Sequence, residues 1–192
     1  MLALTDKAQH FYAPQMIYAD NGMGYIFLTE NNVRVTRESR PSDSTYLNIS
    51  IEHGAAPQEE SYAYIMLPGS EYEETAALAA EPDVEIISMT DSLHAVRDLL
   101  NGKVFANVFE PAELDGISVL TPCSIMYQYD EALKTYELTV SEPSADLDFV
   151  ILEFGGSVSA EPQTDILTEE NRVTIDFRSD KTEMKKLRVA LR

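Results

Sequence analysis

Apolar and polar residues alternate along most of this chain. Val33 and Val35 alternate with Arg34 and Thr36, and Leu47, Ile49 and Ile51 point one way while Asn48, Ser50 and Glu52 point the other. A period of two marks a strand with one buried face. Residues 62–67, 84–87, 95–97, 104–109, 125–129, 136–140, 149–154, 173–177 and 187–191 continue the series, and the stretches 10–19 and 25–29 read as complete strands at the amino-terminal end. Asn101-Gly102 between two such runs predicts a hairpin, because a type I′ turn needs positive φ at both central residues. The pattern predicts an all-β chain of about a dozen strands.

One segment breaks the alternation. Ser70-Glu71-Tyr72-Glu73 reads as a capping box, with the Ser70 hydroxyl accepting from the Glu73 N–H and the Glu73 carboxylate reaching back to Ser70. Glu71, Glu73 and Glu74 suit the positive end of a helix dipole, and Tyr72, Ala76 and Ala79 fall on one face. Pro82 stops the run. A short connecting helix is expected here. Glu110-Pro111 and Asp115-Gly116 bracket a polar crossing, which places a domain boundary near it: residues 1–112 form one β-domain and residues 113–192 a small antiparallel sandwich.

Charge narrows the function classes. The 192 residues hold 14 Lys and Arg against 33 Asp and Glu, a formal net charge of −19. Residues 1–112 carry 6 basic and 17 acidic residues and residues 113–192 carry 8 and 16, so neither half hides a basic domain. Nucleic-acid affinity comes mainly from cations that release counterions, so this chain is not expected to bind nucleic acid or an anionic membrane. By the same logic, on its own it should receive polyanionic polysaccharides poorly. No apolar run approaches the roughly 20 residues that cross a bilayer. The start, Met1-Leu2-Ala3-Leu4-Thr5-Asp6-Lys7, shows no signal peptide.

Few residues suggest chemistry. His10, His53 and His94 lack partners at metal-ligand spacing, and no nucleophile elbow, phosphate loop or dinucleotide fingerprint occurs, so no catalytic, cofactor or metal residue is nominated. Cys123, the single cysteine, begins a strand with no cation near it in sequence and reads as a buried structural thiol. Asn48-Ile49-Ser50 is a glycosylation triplet inside a strand, where its polar positions read as part of a solvated face. The informative stretch is Ile51-Glu52-His53-Gly54-Ala55-Ala56-Pro57, followed by Tyr62-Ala63-Tyr64-Ile65-Met66-Leu67-Pro68-Gly69. His53 ends a strand, and Tyr62 and Tyr64 share a sheet face. They either pack as a structural pair, the preferred reading, or contact a carbohydrate. Tyr12, Tyr18, Tyr25, Tyr127 and Tyr129 supply a discriminating test: a coplanar, exposed row of these rings would mark a sugar-binding module.

The His-Gly-x-x-Pro and Tyr-x-Tyr-x-x-Leu-Pro strings resemble the carboxy-terminal β region of polysaccharide lyase family 8, which contains hyaluronate, chondroitin AC and xanthan lyases. The likeness continues through Thr75-Ala76-Ala77, Pro82 to Ile87, His94-Ala95-Val96-Arg97, Ala106-Asn107-Val108-Phe109 and Val140-Ser141-Glu142-Pro143-Ser144, and covers residues from about 20 to 145. The resemblance implies part of an antiparallel β-supersandwich followed by a small β-sandwich, in a secreted or periplasmic enzyme. It also implies that the catalytic residues lie in an amino-terminal α/α toroid that this chain lacks, so no catalytic position carries over. The family's tryptophans are missing, and Glu110 stands where an aromatic is expected. The chain is thus expected to be the non-catalytic β portion of an acidic-polysaccharide lyase, monomeric and free of cofactors. The alternative is a free-standing carbohydrate-binding or surface-adhesion module.

Overall fold

The computed structural model describes residues 8–19, 21–39, 45–58 and 60–192. Met1 to Lys7, read above for a signal peptide, lie outside these residues. The chain divides into two compact units, residues 1–82 and 83–192.

The first unit holds β1 (Gln9–Tyr12), β2 (Met16–Ala19), β3 (Met23–Phe27), β4 (Asn32–Ser39), β5 (Thr45–Glu52), β6 (Tyr64–Pro68) and α1 (Tyr72–Ala80). Two antiparallel three-stranded sheets form, ordered β1-β4-β5 and β2-β3-β6. The expected alternation supplies their inner faces. Val33 and Val35 of β4 lie opposite Ile51 and Ile49 of β5, and with Ile17 and Phe27 they make a buried core. The strands that sequence assigned to residues 10–19 and 25–29 serve this closure, as β1 on β4 and β2 on β3.

Helix α1 packs on β2 and β3. Its cap sits one residue later than expected: Glu71 is the N-cap, and the Glu74 carboxylate accepts the Glu71 N–H at 3.1 Å. Ser70 is not available for capping because its hydroxyl, nearly buried, donates to the Leu67 carbonyl at 3.0 Å and lies 3.0 Å from Thr75 Oγ1. The helical side chain that the fold buries is Thr75, not the Tyr72/Ala76/Ala79 face. Thr75 fits because it lies against Gly24 of β3, where a Cβ would overlap Thr75 Oγ1 and fall 2.7 Å from its Cγ2.

The second unit is a β-sandwich. Its strands are β7 (Val84–Met89), β8 (Leu93–Asp98), β9 (Lys103–Val108), β10 (Ala112–Leu114), β11 (Ile117–Val119), β12 (Cys123–Asp130), β13 (Thr135–Ser141), β14 (Phe149–Phe154), β15 (Val158–Ala160), β16 (Ile166–Glu169), β17 (Arg172–Asp176) and β18 (Lys185–Leu191). A seven-stranded sheet ordered β15-β18-β13-β12-β9-β8-β7 faces a five-stranded sheet ordered β10-β11-β14-β17-β16. Val104, Val108, Ile117, Val140, Leu152, Ile175 and Phe177 are among the fully buried side chains between them.

This arrangement moves the domain boundary. The expected division at 112/113 falls inside the second unit, because β9 pairs with β12 in register from Val108↔Cys123 to Lys103↔Gln128. The turn-rich crossing at 110–116 is the passage from one sheet of the sandwich to the other, with Asp115 and Gly116 turning the β10–β11 hairpin at φ 46° and 84°. The β8–β9 hairpin also differs from expectation. Gly102 has φ +65°, but Asn101 is not in the left-handed region, and the turn runs over residues 99–102. Asp98 shapes it by accepting from the Leu100 and Asn101 N–H groups at 2.9 and 3.1 Å.

Candidate functional site

Strand β5 ends at Glu52, and His53 leads into a turn at Gly54, whose φ of +76° favours glycine. Strand β6 then aligns on β3, with Tyr64 opposite Phe27 and Met66 opposite Tyr25. Cross-strand partners share a face, so these four side chains point toward the sheet that carries β5. The result is an open groove of about 670 Å³ within the first unit, walled by Tyr25, Phe27, Ile49, Ile51, Tyr64 and Met66. β5 and β6 are the outer strands of their sheets, so the groove runs between two sheet edges.

Three rings line up along it. Tyr62 and Tyr64 have centroids 6.2 Å apart and planes within 22°, while His53 and Tyr62 lie 5.8 Å apart at 32°. Tyr62 is 54% exposed, Tyr64 44% and Met66 55%. The structure thus brings the three sequence candidates together. It adds Met66, which sequence reasoning passed over although it continues the period-two spacing from Tyr62 and Tyr64. Nδ1 of His53 sits 3.5 Å from Glu60 Oε2, and among the described residues no Lys or Arg lines the groove. The shelf can stack against an apolar ring face or shelter an apolar side chain. Among the described residues it offers no Lys or Arg to fix a carboxylate.

The other candidates lie apart. Tyr127 is 2% exposed, whereas Tyr12 is 82% exposed, and Tyr18 donates its hydroxyl to the Ser70 carbonyl at 2.9 Å. Tyr129 stacks on Tyr136 at 4.5 Å and Tyr25 lines the groove, so the five tyrosines form no common row. His10 pairs with Glu52 at 3.0 Å, and His94 meets Phe109 edge-on at 5.2 Å. Among the described residues, no group of three or more His, Cys, Asp or Glu side chains is placed to hold a metal ion. Cys123 is buried, and desolvation, then the nearby Glu142 charge, pushes its thiol up to about 12.

One network was not visible in sequence. Asp115, in the β10–β11 turn, accepts from Arg97 Nη2 at 2.7 Å and from the Tyr127 hydroxyl at 2.9 Å, while its carbonyl accepts from Tyr136 at 3.1 Å. Arg97 also reaches Glu85 at 2.6 Å. Burial pushes the Tyr127 phenol well above its ordinary range, so it stays a donor. The network pins a hairpin of one sheet to strands of the other.

Comparison with known proteins agrees with both units. The model of the polysaccharide lyase family 8 super-sandwich domain matches residues 2–79, and that of the family's C-terminal β-sandwich domain matches residues 85–150. A hyaluronate lyase of Enterococcus faecalis is 28% identical over 176 residues, covering 83% of this chain and 17% of that protein. A hyaluronate lyase of Thermasporomyces composti is 26% identical, covering 83% and 23%. Among solved structures, a Paenibacillus xanthan lyase superposes with a TM-score of 0.74 at 17% identity, over 97% of this chain and 21% of that one. A chondroitinase AC lyase gives a TM-score of 0.69 at 22% identity, over 94% and 28%. The chain spans about a fifth of the length of these curated relatives. No helix among the described residues is long and apolar enough to cross a membrane. With consecutive matches to its super-sandwich and C-terminal domains, this chain belongs to polysaccharide lyase family 8.

Proposed function

We propose that the chain is the non-catalytic, carboxy-terminal β portion of a secreted or periplasmic lyase that cleaves acidic polysaccharides by β-elimination. One observation carries this reading: the two family domains matched are both β-domains, and together they occupy only about a fifth of the relatives' length. β-Elimination needs a base at the C5 proton and groups that neutralise the uronate carboxylate, converging in one cleft. Among the described residues no Lys or Arg lines the His53–Tyr62–Tyr64 groove, which supports an accessory role. In this role the rings brace the amino-terminal catalytic part of the lyase, an α/α toroid, and make accessory contact with sugar. The test is direct. The chain is incubated with hyaluronan, chondroitin sulfate or xanthan and ultraviolet absorbance is followed. No unsaturated uronide is expected, and its accumulation overturns the reading.

The near-parallel, exposed Tyr62–Tyr64 pair favours a second reading, a free-standing sugar-binding module. Under that reading Tyr62→Ala or Tyr64→Ala abolishes polysaccharide retention by the chain while its melting temperature is unchanged. As a self-closed unit the chain is a monomer, and light scattering then gives a concentration-independent mass near 21.5 kDa.

A further inference from the structure

We propose that the outer edge of β6 is a strand-docking site. Its occupant is an extended peptide segment with apolar residues at every second position and Lys or Arg between them. The proposal goes beyond the lyase reading and does not rest on it. The pairing of β6 fixes which of its main-chain groups are free. At the two ends of the β3–β6 register, Leu28 N–H donates to the Ala63 carbonyl at 2.9 Å and Gly69 N–H to the Gly22 carbonyl at 2.7 Å. Bonded positions alternate along an antiparallel pair, so residues 63, 65, 67 and 69 face β3, while the N–H and C=O groups of Tyr64 and Met66 face away from it. β6 is the last strand of its sheet, and among the described residues no main-chain group meets Tyr64 or Met66 on that side.

Nothing in the strand guards this edge. Other edge strands are blunted by shortness, charge or a bulge. β1, β2 and β16 have four residues each and β10 and β15 have three, β7 carries Glu85 and a bulge between Ile86 and Ser88, and β5 carries Glu52. β6 has neither charge nor bulge, and no charged residue occurs from Ser61 to Ser70. Such an edge templates a further strand, whose main chain supplies the bonds and whose alternate side chains supply specificity.

The two faces of the sheet select those side chains. A residue opposite Tyr64 or Met66 shares their face and enters the groove. There Leu47, Ile49 and Ile51 of β5 pack against the core yet stay half-buried, whereas Val33 and Val35 of β4 are fully buried. The core is open on this side, and apolar residues of the added strand close it. The intervening residues lie on the other face, with Ile65 and Leu67. That face carries α1, because Leu67 is paired with Gly24, and Gly24 lies against Thr75. The helix and its two caps hold Glu71, Glu73, Glu74 and Glu81, no Lys or Arg lies within the segment, and among the described residues none is ion-paired to it. Residues 1–82 carry 4 Lys and Arg against 12 Asp and Glu, so cations on this face are attracted.

The experiment is fluorescence anisotropy of a dye-labelled peptide of strictly alternating valine and lysine, titrated with the whole chain. Binding is expected. N-methylation of the valines, whose N–H groups face β6, abolishes it, and N-methylation of the lysines leaves it unchanged, although both peptides keep every charge. These peptides test the chain with its own sequence, so the outcome does not depend on a variant folding. Met66→Pro removes one outward N–H and spares the β3 pairing, as Pro68 does two residues on. It binds about tenfold more weakly than Met66→Ala, which keeps the N–H, with equal melting temperatures. The proposal is overturned by no binding, by equal binding of the two methylated peptides, which marks attraction by charge alone, or by equal affinity of Met66→Pro and Met66→Ala. A doubled mass of the free chain in light scattering also overturns it, because a second copy then holds the edge. The lyase reading fails separately, if the chain alone releases unsaturated uronide.

Discussion

Gly24→Ala should destabilise the first unit through a single contact. A Cβ at this position would overlap Thr75 Oγ1, lie 2.7 Å from Thr75 Cγ2 and lie 3.1 Å from Ser70 Oγ. Two of these three atoms belong to one β-branched side chain in a helix, whose χ1 has little freedom to move aside. Over-packing of this kind costs about 1–3 kcal/mol, and the lost flexibility of the unfolded chain returns less than about 1 kcal/mol. For a unit of this size each kcal/mol lowers the melting temperature by about 4–8 °C, so a drop on the order of 5–15 °C is expected. Thr75→Ala removes both clashing atoms. Alone it also removes a hydroxyl bonded to the Glu71 carbonyl at 3.0 Å and to Ser70 Oγ at 3.0 Å, a loss of about 1 kcal/mol. The double variant should therefore be more stable than the sum of the two losses by about 1–2 kcal/mol. Urea unfolding of the four proteins measures the cycle. Additivity within about 0.5 kcal/mol would refute the reasoning, because it would mean that Thr75 is not what the new methyl meets.

Three further outcomes follow from other contacts. Tyr127→Phe removes the buried donor to Asp115 and should cost about 1–2 kcal/mol in urea unfolding; a loss below about 0.3 kcal/mol would show that the network does not hold the hairpin. With its thiol pushed up to about 12, Cys123 should resist a thiol reagent at neutral pH until the chain is unfolded in denaturant, and rapid labelling of the native chain would contradict its burial. Asp176 is held at about 2, chiefly by the Arg178 guanidinium. Burial pushes Glu142 up, but hydrogen bonds from Ser144 and from the Leu147 and Asp146 backbone together hold it low. A depressed carboxylate stabilises fully above its ordinary range, and the contribution disappears as pH falls through the folded value. The melting temperature should therefore fall between about pH 4 and pH 2, and less steeply in Asp176→Asn.

The alternating pattern carried most of the fold. Long strands such as β4, β12 and β13 bury alternate residues, and β5 turns its alternate Leu47, Ile49 and Ile51 onto the core, so their periodicity is legible without any tertiary knowledge. Strands β10, β11 and β15 have three residues each, too few to show a period; β11 and β15 pair with the longer β14 and β18, and β10 adds to β11 through a tight hairpin. The helix cap moved for a related reason. Ser70 is a good local cap, but burial against Thr75 gave its hydroxyl tertiary partners, and Glu71 with Glu74 took over at the exposed start. The boundary followed the same logic, since the polar stretch at 110–116 has the composition of a linker and the geometry of a sheet-to-sheet turn. Composition records that backbone is exposed there, not which elements pair on either side.

Site residues were legible as types, and their grouping depended on register. His53, Tyr62 and Tyr64 stand close in sequence, so one turn suffices to assemble them. The walls of the groove also come from β3 and β5; β3 meets β6 through a pairing that reaches back some 40 residues, and no local string encodes it. The outer edge of β6 is more extreme, since nothing in the residue types of Tyr64 and Met66 shows which way their main-chain groups point. A slip of one residue against β3 would turn the groups of Ile65 outward and carry Tyr64 and Met66 to the α1 side. This dependence gives the edge an internal check: Tyr64 and Met66 are free on that side only because Ile65 and Leu67 pair with Ile26 and Gly24, so the pairing that holds β6 in its sheet also fixes the groups it leaves open. The buried faces select the register, and the register sets an edge whose pattern the sheet itself does not require.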